Sequence, residues 1–188
     1  MKRYPAALPL IALALTGCLK KPEAVPRPRA FARIDLYDTA TVCTPFPTPV
    51  VLRVNKSADC RLVRATAEGY WIDIDYPVYH ATVHLTLSRA ADSLRREEIM
   101  ANRTERMALN LGDSQASRFD LVSPGKFRST ILSASGPSLT PVQLLSAGPE
   151  WIVSATATLD HLPSSADSVG PVVEALRNDL LTAAKNLR

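Results

Sequence analysis

Residues 70–88, YWIDIDYPVYHATVHLTLS, carry the longest strict alternation of apolar and polar side chains in the chain, and their reading decides the fold. Successive side chains of a strand point to opposite faces. Tyr70, Ile72, Ile74 and Tyr76 therefore share one side, and Trp71, Asp73 and Asp75 the other. Pro77 breaks or bends the run. Beyond it, Tyr79, Ala81, Val83, Leu85 and Leu87 make an apolar face, while His80, Thr82, His84 and Thr86 make a polar one. Two strands of a half-buried sheet require this pattern, and the β-branched and aromatic content suits them.

Upstream, residues 31–36 alternate briefly around Ile34 and Leu36 and read as a short edge strand. Residues 41–49 hold three prolines, which lack a ladder donor, so a loop or an edge is expected there. Residues 50–54 and 60–65 read as short strands on either side of a polar turn. Downstream, Ser88 is placed to cap a charged helix over about 90–111 that ends at Gly112, with a weak stripe of Leu94, Met100, Thr104, Met107 and Leu111. Its charges, Arg95, Arg96, Glu97, Glu98, Arg103, Glu105 and Arg106, read as a solvated face. Strands over 117–122 and 126–135 flank Ser123-Pro124-Gly125, and strands over 142–145 and 151–159 flank Gly148-Pro149, so both pairs read as hairpins.

The last helix, over 169–187, has the clearest apolar face: Val172, Val173, Leu176, Leu180, Ala183, Ala184 and Leu187. Pro171 suits its first turn, and Lys185 and Arg188 suit the negative end of the dipole. Hairpins in succession with two separated helices indicate an α+β domain, a mostly antiparallel twisted sheet packed by two main helices.

Composition sets the class. The 188 residues are 46% hydrophobic and 21% charged, which is ordinary for a globular chain and leaves room for one domain of roughly 150 residues. The formal charge is +4, but Lys2 and Arg3 belong to the leader. Without them 20 basic residues face 18 acidic ones, a balance of +2. The bases are scattered rather than gathered with aromatics, so nucleic acid is not an expected partner.

The N-terminus gives a location. Residues 1–17 have a basic start and an apolar run from Ala6 to Leu15, too short for a spanning helix of about 20 residues and laid out as a secretion signal. Leu15-Thr16-Gly17-Cys18 looks like a bacterial lipobox, in which the cysteine receives a diacylglycerol before cleavage. The rival is an ordinary signal peptide that contains a cysteine; the coincidence of charge, apolar length and Cys18 favours the anchor. Several acyl chains hold a protein stably where one is marginal. Leu19, rather than an aspartate, favours outer-membrane sorting, and Lys20 and Lys21 are unlike an acidic surface-export tag, so the expected setting is the outer membrane facing the periplasm. Residues 18–30, with Pro22, Pro26 and Pro28, read as a lipidated tether; a dozen residues at polyproline spacing reach roughly 35 Å. Residues 31–188 form the single domain.

With Cys18 given to lipid, Cys43 and Cys60 remain as an even pair in an oxidising compartment. A disulfide closing such a loop contributes about 3 kcal/mol in the chain-entropy account; the alternative is two buried free thiols.

Motif chemistry is absent from the sequence: it has no Gly-rich phosphate loop, paired-cysteine zinc spacing, H-E-x-x-H or G-x-S-x-G. His80 and His84 are about 13 Å apart along a strand, and Asp73 and Asp75 about 7 Å, so a shared metal needs a further segment. A carboxylate and histidine site across the two strands stands against a solvated sheet face, and the register across Pro77 is not readable from sequence.

Together, P-R-P-R-A-F-A-R-I-D-L over 26–36, YWIDIDYPVYHATVHL, VQLL before a Gly-Pro turn and DSVGPVVEALRNDLL over 167–181 resemble the gliding-motility lipoprotein GldD family. The likeness spans most of residues 26–187. Its most specific parts are Trp71, Asp75 and Pro77 in W-x-x-x-D-x-P, and the helix from Asp167 to Leu181. Residues 40–68 depart from the pattern, so the cysteine pair is no part of it. The resemblance implies a non-catalytic, cofactor-free envelope protein required for surface gliding and the linked type IX secretion machinery, and it transfers no active-site residue. The expected partners are other envelope proteins of that apparatus, with the membrane reached through the acyl chains. Trp71, Asp73, Asp75, His80 and His84 form the candidate interaction surface, since an aromatic among polar groups suits recognition. The rival function is a small-ligand or metal-binding periplasmic lipoprotein.

Overall fold

The alternation over 70–88 is realised as two neighbouring antiparallel strands, β4 (Gly69–Tyr76) and β5 (Ala81–Arg89), joined by a 3-10 turn at Pro77–Tyr79. The computed structural model describes residues 34–112 and 114–188. The secretion leader, Cys18, the tether and the start of the expected first strand lie outside them. Around the central pair the chain forms β1 (Thr41–Cys43), β2 (Arg53–Asn55) and β3 (Asp59–Ala65) before it, then α1 (Ser93–Leu111), β6 (Ala116–Val122), β7 (Arg128–Ala134), β8 (Val142–Ala147), β9 (Trp151–Leu159) and α2 (Ala166–Asn186). β3 to β9 make one seven-stranded sheet, wholly antiparallel, in the order β3-β4-β5-β9-β8-β7-β6; β1 and β2 form a separate two-stranded ribbon. The fold is α+β with two helices on a large antiparallel sheet.

Two meanders meet at a seam. β3-β4-β5 and β6-β7-β8-β9 are each built by local hairpins, and β5 pairs with β9 over a register from Ala81↔Leu159 to Arg89↔Trp151. The crossover through α1 carries the chain from the seam to the far edge. On the strands next to the seam, side-chain parity separates two cores. Leu144, Val153, Ala155 and the apolar set of β5 face α2, in a cluster with Val172, Leu176, Leu180 and Leu187. Their sequence neighbours Leu145 and Ile152 face the other way, onto Ile99 and Met107 of α1. The helices therefore lie on opposite faces. The ribbon segment adds Val50, Leu52 and Val54 to the α2 side.

Several boundaries differ from expectation. Residues 34–36 are not a strand, and the strand expected over 50–54 is Arg53–Asn55. Ser88 belongs to β5; the cap of α1 is Asp92, whose carboxylate accepts from the Arg95 N–H at 2.7 Å. The extra turn expected from sequence is instead strand, because Ser88 and Arg89 pair with Ile152 and Trp151. Leu94 is 76% exposed, and Ile99 takes the buried place assigned to it. α2 starts at Ala166 under a Ser165 cap, so Pro171 sits in the second turn, not the first. Cys43 and Cys60 are both free thiols. Cys43 is exposed on the ribbon, and Cys60 packs half-buried against the core, where burial pushes its pKa up to about 11. The weighed disulfide is not formed.

α2 is locked at its C-terminal end. The Leu187 carbonyl accepts from the Ser123 hydroxyl at 2.7 Å and from the Gly125 N–H at 3.2 Å, and the Val51 N–H donates to the Arg188 carbonyl at 2.9 Å. A Cβ on Gly125 would stand 2.4 Å from the Arg188 Cα, so the β6-β7 turn needs glycine to approach the helix end. A polar link lies deeper: Asp179 accepts from Asn55 Nδ2 at 3.2 Å and is bonded by Tyr76, both residues being buried. Burial raises the Asp179 pKa; the bonds from Asn55 and Tyr76 pull it back only in part.

Two outcomes follow for stability. Gly125→Ala loses about 1–3 kcal/mol through overpacking, whereas Gly136→Ala, whose Cβ meets nothing within 4 Å, changes stability by less than about 1 kcal/mol; urea unfolding of both variants checks this. For Asp179, a native pKa above the unfolded one means the native state holds the proton more tightly. That stabilisation is present below the unfolded pKa and lost as pH rises through the native one. Wild type should therefore gain on Asp179→Asn as pH falls from 7 toward 4, measured as the difference between their unfolding free energies.

Candidate functional site

The outer face of β3, β4 and β5 presents the polar side chains of the alternating stretch. α1 packs over β8 and β9, and the outward residues Trp71, Asp73 and Asp75 remain half-buried and His84 exposed. The 3-10 turn closes the Pro77 connection so that Asp73 stands opposite His84 and Asp75 opposite Thr82. Both pairs are bonded: His84 Nδ1 to Asp73 Oδ1 at 2.8 Å, and Thr82 Oγ1 donating to Asp75 Oδ1 at 2.8 Å. An ionised carboxylate only accepts, so Nδ1 carries the proton and Nε2 is the nitrogen left for a ligand.

β3 extends the ladder by a device that alternation does not reveal. The register shifts between Leu62 and Arg64, leaving Val63 outside the pairing. Arg61 pairs with Asp73 and Arg64 with Trp71, so two residues of opposite parity reach the same face. Arg61 donates to Asp73 Oδ2 at 3.0 Å, and the Arg64 guanidinium lies 5.2 Å from the Trp71 ring centroid. Asp73 thus holds an arginine and a histidine at once, with Trp71 capped by a cation. Each such surface contact contributes about 0–1 kcal/mol, so together they order the face more than they hold the fold.

His80 is not part of this surface. It lies before β5 in left-handed conformation, φ 50°, where its N–H donates to the Pro77 carbonyl at 3.2 Å. Its ring stands 3.7 Å from Asp160, beside a hollow of about 510 Å³ lined also by Val78, His161 and Leu162. Among the described residues, no three His, Cys, Asp or Glu side chains gather as metal ligands. Asp73 and His84 supply two donors, and their neighbour Arg61 is a cation that opposes a metal.

Under α1 the same face deepens into a cleft of about 290 Å³. α1 is held above the sheet at both ends. Arg96 donates to the Gly148 and Pro149 carbonyls of the β8-β9 turn, and the buried Gln143 bonds the Met107 carbonyl at 3.2 Å and the Asn110 amide at 3.0 Å. His84 lines both this cleft and the open hollow around Trp71, while Arg103 lines the cleft and a second hollow on the far side of Trp71. Of the charges expected on a solvated helix face, Arg106 is exposed and Arg103 is half-buried, though both border the cleft. Helical spacing puts them three residues apart on one side, but only the docking of α1 by Arg96 and Gln143 turns that side to the sheet.

No curated protein and no solved structure matches the chain significantly. Among the described residues no helix is long and apolar enough to cross a membrane. The family model described as gliding motility lipoprotein GldD matches residues 21–188. With that match covering the whole sheet and both helices, the chain belongs to the gliding motility lipoprotein GldD family.

Proposed function

We propose that the protein is a non-catalytic module, anchored by acyl chains on Cys18 in the outer membrane and facing the periplasm, that supports gliding and the linked type IX secretion machinery by binding other envelope proteins. Family membership supports the motility role. The observation that carries the binding role is the ordered outer face of β3, β4 and β5, where Arg61, Asp73 and His84 interlock beside the cation-capped Trp71. A large amphipathic ring amid prearranged charges is the composition of an interface anchor, and its low cost to the fold leaves it available to a partner. The lipobox residues Leu15-Thr16-Gly17-Cys18 support the anchor.

In a strain lacking the protein, spreading on agar and secretion of a type IX substrate should both fail. The wild-type chain should restore both, and Trp71→Ala should accumulate normally yet restore neither; normal behaviour of the deletion strain removes the proposed role. Labelled palmitate should enter the wild-type protein and not Cys18→Ala, which tests the anchor separately.

A further inference from the structure

The cleft under the C-terminal half of α1 is lined by two cations, Arg103 and Arg106, with no counter-charge among the described residues. Among the described residues neither Arg103 nor Arg106 has a carboxylate within ion-pair distance, whereas Arg61, Arg95, Arg118 and Arg177 are each paired. Among the described residues no Asp or Glu lines the cleft. Opposite the guanidiniums stand His84 and Thr86 of β5 and Ser154 and Thr156 of β9, adjacent across the seam. The hydroxyls of Thr86, Ser154 and Thr156 are bonded to no protein side chain in the described residues.

Half-buried Arg103 is the cation that lacks compensation. Burial lowers the Arg103 pKa, and the charge of Arg106 lowers it further. An oxyanion between the two would relieve both effects, because it compensates desolvated charge and replaces repulsion with two charge-assisted bonds. The planar guanidinium fork fits carboxylate or phosphate oxygens bidentately. The volume, about 290 Å³, is at the lower end for a ligand site, and a lining that sets the hydroxyls of Thr86, Ser154 and Thr156 against Met107 and Leu109 suits a small body with both hydroxyl-bearing and apolar faces, as a sugar ring has.

We propose that this cleft binds a small organic oxyanion, a carboxylate or phosphate group on a hydroxylated, sugar-sized body, with Arg103 and Arg106 holding the anionic group and the β5-β9 hydroxyls the body. The site is distinct from the partner surface at Trp71, though His84 and Arg103 border both. A ligand there would touch α1 and the sheet at once and so fix the gap between them.

The test is titration calorimetry on the full chain in neutral detergent, with glucuronate, glucose 6-phosphate and, as the uncharged control, glucose. Saturable binding of one acid sugar and none of glucose is expected, and which acid binds separates the carboxylate from the phosphate source. Arg106→Gln, at an exposed position, should keep the wild-type melting temperature and weaken binding about tenfold or more; Arg106→Lys should recover part of that loss. Arg103→Gln should weaken binding similarly. Absence of saturable binding by both acid sugars, equal binding of glucose, or undiminished binding by the Arg103→Gln/Arg106→Gln double variant overturns the proposal.

Discussion

The pairing of β5 with β9 is the constraint on which the rest of the molecule depends. Every other strand pairing in the large sheet joins consecutive strands through a short connection, and only this one brings residues near 81–89 against residues near 151–159. Closing so long a loop costs entropy that the local hairpins do not face, so its register must be well specified. It is. On the α2 side Val83, Leu85 and Leu87 meet Ala157, Ala155 and Val153, all buried, so a slip by one residue would expose every one of them.

The same seam explains why the two faces of the sheet differ. On the α2 side, helix, ribbon and the segment from Ile34 to Phe46 together bury one continuous core. On the other side α1 buries only a small cluster around Ile99, Met107, Leu145 and Ile152. α1 is a crossover from β5 to the far-edge strand β6, and it packs over β8 and β9, on the β6 side of the seam. The uncovered part of β3, β4 and β5 must then be polar, and the sequence supplies Asp73, Asp75, Thr82 and His84 there. An open charged face is thus a consequence of how one helix spans the sheet.

The strand pattern was legible because it depends on local parity, which a sequence displays directly. The two hairpin turns at Pro124-Gly125 and Gly148-Pro149, the apolar stripe of α2 and the α+β class were readable for the same reason. What could not be read depends on one-residue shifts and on docking. His80 left the expected surface because a 3-10 turn consumed residues 77–79 and put it in left-handed conformation, a choice that alternation cannot encode. Ser88 looked like a cap because Ser favours that place, but the seam with β9 held it in strand; tertiary pairing outweighed a preference of about 1 kcal/mol. Arg103 looked solvated, as Arg106 is, because the face a weakly amphipathic helix turns inward is set by the bonds of Arg96 and Gln143 near its two ends.

The bulge in β3 separates what stabilises the molecule from what it displays. Had β3 run without the shift, Val63 would oppose Trp71 and Arg64 would point into the α2 core, where an unpaired guanidinium costs several kcal/mol. The inserted residue instead leaves Val63, 56% exposed, at the edge and delivers Arg64 to the Trp71 ring. An exposed valine and a cation–π contact at a sheet edge add little stability of their own, so what the bulge contributes to folding is to keep Arg64 out of the core. Its further effect is on the outer face: it places Arg64 over the Trp71 ring, whose other side borders a hollow lined by α1, and it twists an edge strand that would otherwise offer a regular ladder to other chains. The irregular residue in the least buried strand thus sets the geometry of the surface, while the regular alternation of its neighbours sets the fold.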